Sequence, residues 1–281
     1  MNTQRAFTAI VVAAVAFGLA GCAASPGGGG GGDDANDLGL VKPGTLTICA
    51  NLETPPNIYA EADGTPVGVE VEIADAMADV MGLTPVFEPM AFAGLVPALQ
   101  AKQCDTIIST LYIKPEREEV ANFVPYLISG SGVAVSKENP KGITGYDDSL
   151  CGVSAVGITG ATGADLLQEQ SDACVADGKE PIEISLTDKA ADALQQVISG
   201  QIDAFMDTSE LMAFYEQQSD GEFVPVGETV GKINIGAASL KGNDALHEAL
   251  LEAFASIVDD GTYASILEKW NFQDLDIANA E

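Results

Sequence analysis

Only 12 lysines and arginines and a single histidine, His247, stand in this chain of 281 residues. One histidine leaves little scope for imidazole acid–base catalysis. The five cysteines contain no Cys-x-x-Cys pair and no zinc-type spacing, so neither a metal site nor a cofactor is expected. Acids outnumber the cations at 42, giving a formal charge of −30. Nucleic acid, whose phosphates call for lysine and arginine, is therefore not an expected partner. Most of the charge reads as a solvated acidic surface, suited to a protein working outside the cell in variable salt. Long apolar runs are equally scarce, and the one present lies at the N-terminus.

That run, Ala6 to Ala20, spans 15 residues after a start carrying only Arg5. It is shorter than the roughly 20 residues that a helix needs to cross a bilayer, and it reads as a secretory signal over residues 1–21. Leu19-Ala20-Gly21-Cys22 follows directly, the small-residue context in which a cysteine thiol accepts a diacylglycerol. The alternative is an uncleaved signal anchor. Six glycines, Gly27 to Gly32, and the acidic stretch Asp33-Asp34-Ala35-Asn36-Asp37 bury nothing, so residues 22–41 read as a lipidated flexible tether. With Cys22 lipidated, four cysteines remain, an even number that suggests disulfides in an exported protein but permits three pairings.

From Thr45 onward short apolar strands alternate with amphipathic helices, an α/β pattern. Strands are expected at Thr45–Cys49, Pro85–Glu88, Asp105–Ile108, Gly152–Val156, Ile182–Ser185 and Asp203–Met206. Helical spacing links Ile73, Ala76, Met77, Val80 and Met81, with Gly82 as the stop. Further helices are expected at Leu95–Gln100, around Ala164–Glu169, over Ala190–Ile198, along the Leu246–Ile257 stripe, and at Gly261–Trp270. Ala98-Leu99-Gln100 leading to Asp105 is echoed by Ala193-Leu194-Gln195 leading to Asp203. Two such halves predict two lobes, each a small doubly wound sheet, with ligand held beyond the carboxyl ends of the strands.

Five stretches, in order, resemble family 3 of the extracellular solute-binding proteins. They are Gly68-Val69-Glu70-Val71-Glu72-Ile73-Ala74, Phe92-Ala93-Gly94-Leu95-Val96-Pro97-Ala98-Leu99, the block Asp105 to Arg117, Phe123-Val124-Pro125-Tyr126, and Gly261-Thr262-Tyr263 through Lys269-Trp270. The resemblance implies a two-lobed periplasmic-binding-protein fold of type II with the ligand in the cleft. Lobe 1 would comprise residues 42–131 and 230–281, and lobe 2 residues 132–229. It implies a monomeric substrate-binding lipoprotein on the outer face of the cell membrane, serving an ABC permease and binding a small carboxylated solute, foremost a polar amino acid. Presentation of ligand to a membrane sensor, a non-amino-acid carboxylate, and a dehydratase-like enzyme on the same fold are the alternatives. No nucleophile–base pair in the sequence favours the last. Family topology also implies the disulfides Cys49–Cys104, joining neighbouring parallel strands, and Cys151–Cys174, flanking one βα unit.

In the resemblance, Arg117 holds the ligand carboxylate, since a guanidinium matches it in two-point fashion. The loop Ser109, Thr110, Leu111, Tyr112 would assist, and Gly157, Ile158 and Thr159 from the other lobe would supply N–H groups and a hydroxyl at a helix start. From residue types alone, Arg117 reads first as a surface ion pair with Glu116, Glu118 or Glu119. Thr54-Pro55-Pro56-Asn57 replaces the family's aromatic segment, so Asn57 stands where a stacking ring is lost and Tyr112 is placed to refill the space. The family's ammonium-binding aspartate aligns with Thr208, and Asp207 falls one residue early, which should turn its carboxylate to the other face of the strand. Either Asp207 adjusts, Glu53 substitutes, or the ligand lacks an α-ammonium. Phe92 is expected either against the ligand's aliphatic part or in the core.

The signal and Leu19-Ala20-Gly21-Cys22 predict acylation at Cys22, each buried CH₂ contributing about 0.8 kcal/mol to membrane binding. Mass spectrometry of the mature protein should find its N-terminus at a lipid-modified Cys22, and Cys22→Ala should release or misprocess it. An unmodified N-terminus elsewhere would contradict this.

Overall fold

A computed structural model describes residues 38–278. The expected signal, Cys22 and the tether up to residue 37 lie outside the described residues. The chain runs β1 (Thr45–Ala50), β2 (Glu53–Thr54), β3 (Ile58–Ala60), β4 (Pro66–Val67), α1 (Val69–Val80), β5 (Thr84–Pro89), α2 (Leu95–Gln100), β6 (Thr106–Ile107), α3 (Pro115–Glu118) and β7 (Ala121–Ser136). It continues through β8 (Ser154–Ile158), α4 (Thr162–Ala176), β9 (Glu183–Thr187), α5 (Ala190–Ile198), β10 (Ala204–Thr208), α6 (Ser209–Gln218), β11 (Phe223–Leu240), α7 (Asp244–Asp259) and α8 (Thr262–Trp270).

Strands β5, β1, β6, β11, β7, β10, β8 and β9 lie side by side in that order, and β2–β3–β4 form a separate small sheet. The β1–β5, β1–β6, β8–β9 and β8–β10 pairs are parallel, as strand–helix–strand units require. Every residue of β1 is buried, which suits a parallel strand covered on both faces. Around each outer group of strands lies its own core. Leu46, Ile48, Ile73, Met77, Tyr126, Leu250 and Tyr263 build the first. Val156, Ala193, Val197, Phe205, Leu211 and Phe223 pack on one face of the second group, and Val133, Leu167 and Met206 on the other.

The two halves are joined by β7 and β11, which pair antiparallel along most of their 16 and 18 residues. Their register slips between Val226 and Val230, between Val230 and Ile233, and between Ile235 and Gly236. The expected lobe boundaries, 131/132 and 229/230, fall inside these two crossing strands. Neither strand was expected in full, nor was α6. The helix placed around Ala164–Glu169 in fact begins at Thr162 and runs to Ala176.

The tether was expected to reach residue 41, but its last residues are docked. Leu38 and Leu40 pack against the first core, Asn243 Nδ2 donates to the Leu38 carbonyl at 3.0 Å, and the Val41 N–H donates to Asp105 Oδ1 at 2.6 Å. Asp105 Oδ2 accepts the Thr47 N–H at 2.8 Å, so one carboxylate ties this segment to β1. Apolar side chains resume at Leu38, immediately after the glycine and aspartate run, and that is where burial begins.

Both expected disulfides are formed. Cys49 and Cys104 join β1 to the segment just ahead of β6 across a separation of 55, and Cys151 and Cys174 close a loop with a separation of 23. In the chain-entropy account, loops of these sizes contribute about 4 and about 3 kcal/mol by restricting the unfolded chain. Replacing each pair by serines should lower the urea midpoint accordingly, the Cys49/Cys104 pair more. Midpoints unchanged from wild type would contradict the assignment.

Candidate functional site

Arg117 sits inside the short helix α3, whose first turn is set by Pro115 after an extended Lys114. The guanidinium is buried, and Nη1 donates to the Tyr112 carbonyl at 2.8 Å. Nη2 donates at 3.3 Å to the Gly160 carbonyl, which belongs to the opposite half of the molecule. Its carbon lies 5.6 Å from the centre of the Phe92 ring, within cation–π range. No carboxylate among the described residues lies within ion-pair distance of it, so the surface ion pair with Glu116, Glu118 or Glu119 is not what the fold makes. Burial lowers the Arg117 pKa, with Glu116 and Asp165 acting in the opposite direction. A desolvated cation without an anion is costly, and an incoming carboxylate answers that cost.

A cleft opens in front of this guanidinium, between the two halves. Phe92, Thr110, Tyr112, Ile158, Asp207 and Glu53, all expected at the site, line it together with Arg117. Opposite Arg117 stand Thr162 and Gly163, the first residues of the 15-residue helix α4. Their N–H groups have no intrahelical acceptor, and among the described residues they find no other backbone acceptor. These free donors and the helix dipole make a second anion-binding element. Gly163 is required there, because a Cβ on it would stand 2.2 Å from the Met206 carbonyl oxygen of β10.

Five expected site residues do not line the cleft. The Thr159 N–H and hydroxyl both donate to the Thr187 carbonyl, at 2.9 and 3.3 Å, so this threonine braces β8 against β9. At Gly157 the place of a side chain is already taken by Ala164 Cα, 2.9 Å away. Leu111 is packed in the apolar cluster of Leu95, Leu99 and Ile107. Asn57 is wholly buried beside Gly68, and its side-chain N and O find no partner among the described residues. Ser109 too is buried, its hydroxyl accepting the Asn51 N–H at 2.7 Å rather than lining the cleft.

The loop around Thr110 is a brace more than a set of ligands. Thr110 has φ +49°, uncommon for a residue with a branched side chain. Its N–H donates to both Glu70 oxygens at 2.8 Å, and its hydroxyl to Glu70 Oε2 at 3.1 Å. Tyr126 adds its hydroxyl to Glu70 Oε1 at 2.8 Å. Glu70 is fully buried, and desolvation pushes its pKa up to about 7. It reaches Thr110 because α1 starts hard against the Pro56–Asn57 segment. At Gly68, with φ 132°, a Cβ would lie 2.2 Å from the Asn57 oxygen.

Asp207 does line the cleft, against the face expected from strand alternation. The reason is that β10 ends at Thr208, where the chain turns into α6 with Thr208 as its capping residue. Alternation lapses at the strand end, and Asp207 and Thr208 both face the opening. Asp207 Oδ1 accepts the Thr208 N–H at 2.7 Å, while burial pushes its pKa up to about 6. Asp188, just ahead of α5, lines the cleft as well. One guanidinium therefore faces three carboxylates, Asp207, Glu53 and Asp188. Outside the cleft, Lys114 Nζ meets Asp165 Oδ2 at 2.7 Å, an ion pair that joins the halves. Among the described residues no group of three or more histidine, cysteine, aspartate or glutamate side chains is disposed to hold a metal ion, and no helix is long and apolar enough to cross a membrane.

Asn51, Glu70, Thr162, Gly163 and Asp188 escaped the sequence reading. Residues 157–163 contain two Thr-Gly pairs, and only the second, Thr162-Gly163, opens the helix. Its acidic first turn at Asp165 is the signal that marks it.

Comparison with known proteins finds relatives along most of this chain. The arginine-binding protein ArgT of Corynebacterium glutamicum is 31% identical over 236 residues, covering 84% of this chain and 77% of that protein. Among solved structures, an ancestral arginine-binding protein bound to arginine superposes with a TM-score of 0.74 at 30% identity, covering 81% of this chain and 98% of that one. The ancestral amino acid-binding protein AncCDT-1, a precursor of cyclohexadienyl dehydratase, gives a TM-score of 0.73 at 27% identity, covering 82% of this chain and 96% of that one. Residues 46–274 match one family along almost the whole of the described fold, and the chain belongs to it: the bacterial extracellular solute-binding proteins, family 3.

Proposed function

We propose that the cleft captures an amino acid with a cationic side chain, arginine fitting best, and delivers it to an ABC permease from a lipid anchor at Cys22. The observation that carries the ligand class is the charge of the lining, one guanidinium against three carboxylates. An α-carboxylate placed at Arg117 meets two-point donors there and the free N–H groups of Thr162 and Gly163 on the other side. Asp207 then takes the α-ammonium, and Glu53 and Asp188 remain for a second positive group. A neutral side chain would leave those two acids uncompensated as the halves close and water is expelled, which selects against it. ArgT and the arginine-bound ancestral protein support arginine over other cationic amino acids. Capture and release are proposed, with no chemical step. Closure would bend β7 and β11, the strands that join the halves, at their register slips.

Calorimetric titration with all proteinogenic amino acids tests the reading. Arginine should bind more tightly than glutamine, its neutral neighbour in length. Losing one partner of a desolvated charge pair costs about 2–5 kcal/mol, so Arg117→Ala should weaken arginine at least about 30-fold. Arg117→Lys should restore it only in part, since an ammonium lacks the planar fork. Glu53→Gln with Asp188→Asn should narrow the gap between arginine and glutamine. Glutamine binding wild type as tightly as arginine would overturn the cationic reading, and undiminished affinity in Arg117→Ala would overturn the site.

A further inference from the structure

A second pocket adjoins the cleft, and the two share Asn51, Glu53 and Asp188. Leu52, Ala60, Pro89 and Met90 give it a largely apolar wall on the first half, and Asp188 and Lys189 line it from the second. Lys189 is the one cation among its described lining residues. It is exposed, and no carboxylate among the described residues lies within ion-pair distance of it. Its N–H donates to Thr187 Oγ1 at 3.3 Å, which fixes the backbone where β9 turns into α5. Lys189 directly precedes α5, so the positive end of that helix's dipole adds to its charge.

Charge is sorted between the two pockets. Arg117 and Asp207 line only the cleft, Glu53 and Asp188 line both, and Lys189 lines only the outer pocket. Resting on the amino-acid reading above, we infer that the outer pocket is a subsite for a second amino-acid head, in which Lys189 takes a carboxylate carried beyond the ligand's distal ammonium. The ligand class then extends from singly headed cationic amino acids to double-headed ones. Arginine or lysine, with its α-group at Arg117 and Asp207, brings a cation to Glu53 and Asp188 and leaves Lys189 as a like charge beside it. A carboxylate on the carbon that bears the distal ammonium answers Lys189, while the ammonium stays with the two acids. Asp188 and Lys189 are chain neighbours of opposite sign lining one pocket, an arrangement suited to two opposite charges on one carbon. A distal carboxylate without an ammonium, as in glutamate, would meet Glu53 and Asp188 uncompensated, so the subsite selects against plain acidic side chains. The apolar wall keeps water from one side of the contact, whereas the exposure of Lys189 keeps the contribution modest.

Two probes isolate the added carboxylate: L-lysine, and LL-2,6-diaminopimelate, which is lysine with a carboxylate on its ε-carbon. Calorimetric titration should find diaminopimelate at least as tight as lysine on the wild-type protein. Lys189→Gln should lower the ratio of diaminopimelate to lysine affinity by about fivefold, the scale of one exposed charge pair. The two ligands should move in opposite directions, diaminopimelate weakening and lysine tightening as a like charge is removed. A general loss of structure would weaken both. Lys189 is exposed, so the substitution leaves no buried group unpaired. High salt should shrink the wild-type ratio, because the contact lies at the rim. A ratio unchanged by Lys189→Gln, or diaminopimelate binding the wild-type protein more weakly than lysine or not at all, overturns the proposal. Failure of arginine and lysine to bind, while diaminopimelate binds and is weakened by Lys189→Gln, would instead uphold the subsite and count against the cationic reading.

Discussion

Arg117 is a buried guanidinium with no carboxylate among the described residues at ion-pair distance, and the organisation of the cleft follows from how the fold keeps it there. Two carbonyl oxygens, those of Tyr112 and Gly160, and the face of Phe92 share its positive charge. These contacts are weaker than a two-point carboxylate pair, so the side chain is oriented while its strongest partner remains to be supplied. Because Gly160 lies in the other half, the same guanidinium also links the two halves across the cleft. In the proposed reading, an anion arriving between Arg117 and the start of α4 would be bound from both sides, so that binding and closure become one event.

The acids around this cation fall into two groups by their surroundings. Glu53, Asp188 and Asp207 line the opening and give it an excess of negative charge suited to a positively charged ligand. Glu70 and Glu210 are withdrawn from it and act on the loops instead. Glu70 accepts two donors from Thr110, holding it in a left-handed conformation, and a third from Tyr126, and Glu210 accepts from the crossing strand. Burial raises the pKa of both to about 7, in contrast with the exposed Asp63 and Asp147, whose pKa values hydrogen bonds lower.

Much of the α/β framework is legible in the sequence. Apolar spacing places α1, α2, α5, α7 and α8 closely, because each is a helix with one buried stripe and a glycine or charged residue at its end. The crossing strands escape such reading. β7 contains Pro125, Gly130 and Gly132, and β11 contains Pro225, Gly227 and Gly231, residues that ordinarily argue against a strand. Here they fall where two long strands bend around each other, a pairing fixed by contacts distant in sequence. Arg117 and Tyr112 are legible through the motif that ends in Arg117, and Phe92 through the stretch Phe92 to Leu99. Thr159 was misplaced because the wrong Thr-Gly pair was taken as the helix start. Asp207 depends on where β10 stops, and Glu70 and Glu210 on burial, neither of which one sequence displays.

The central claim is that a ligand carboxylate lies between the Arg117 guanidinium and the first N–H groups of α4. A crystal structure of the protein grown with arginine tests it most directly. The account predicts the α-carboxylate within hydrogen-bond distance of Arg117 and of the Thr162 or Gly163 N–H, with the α-ammonium on Asp207 and the side chain directed toward Glu53 and Asp188. Arginine bound the other way round, its guanidinium toward Asp207 and its carboxylate away from Arg117, would contradict it.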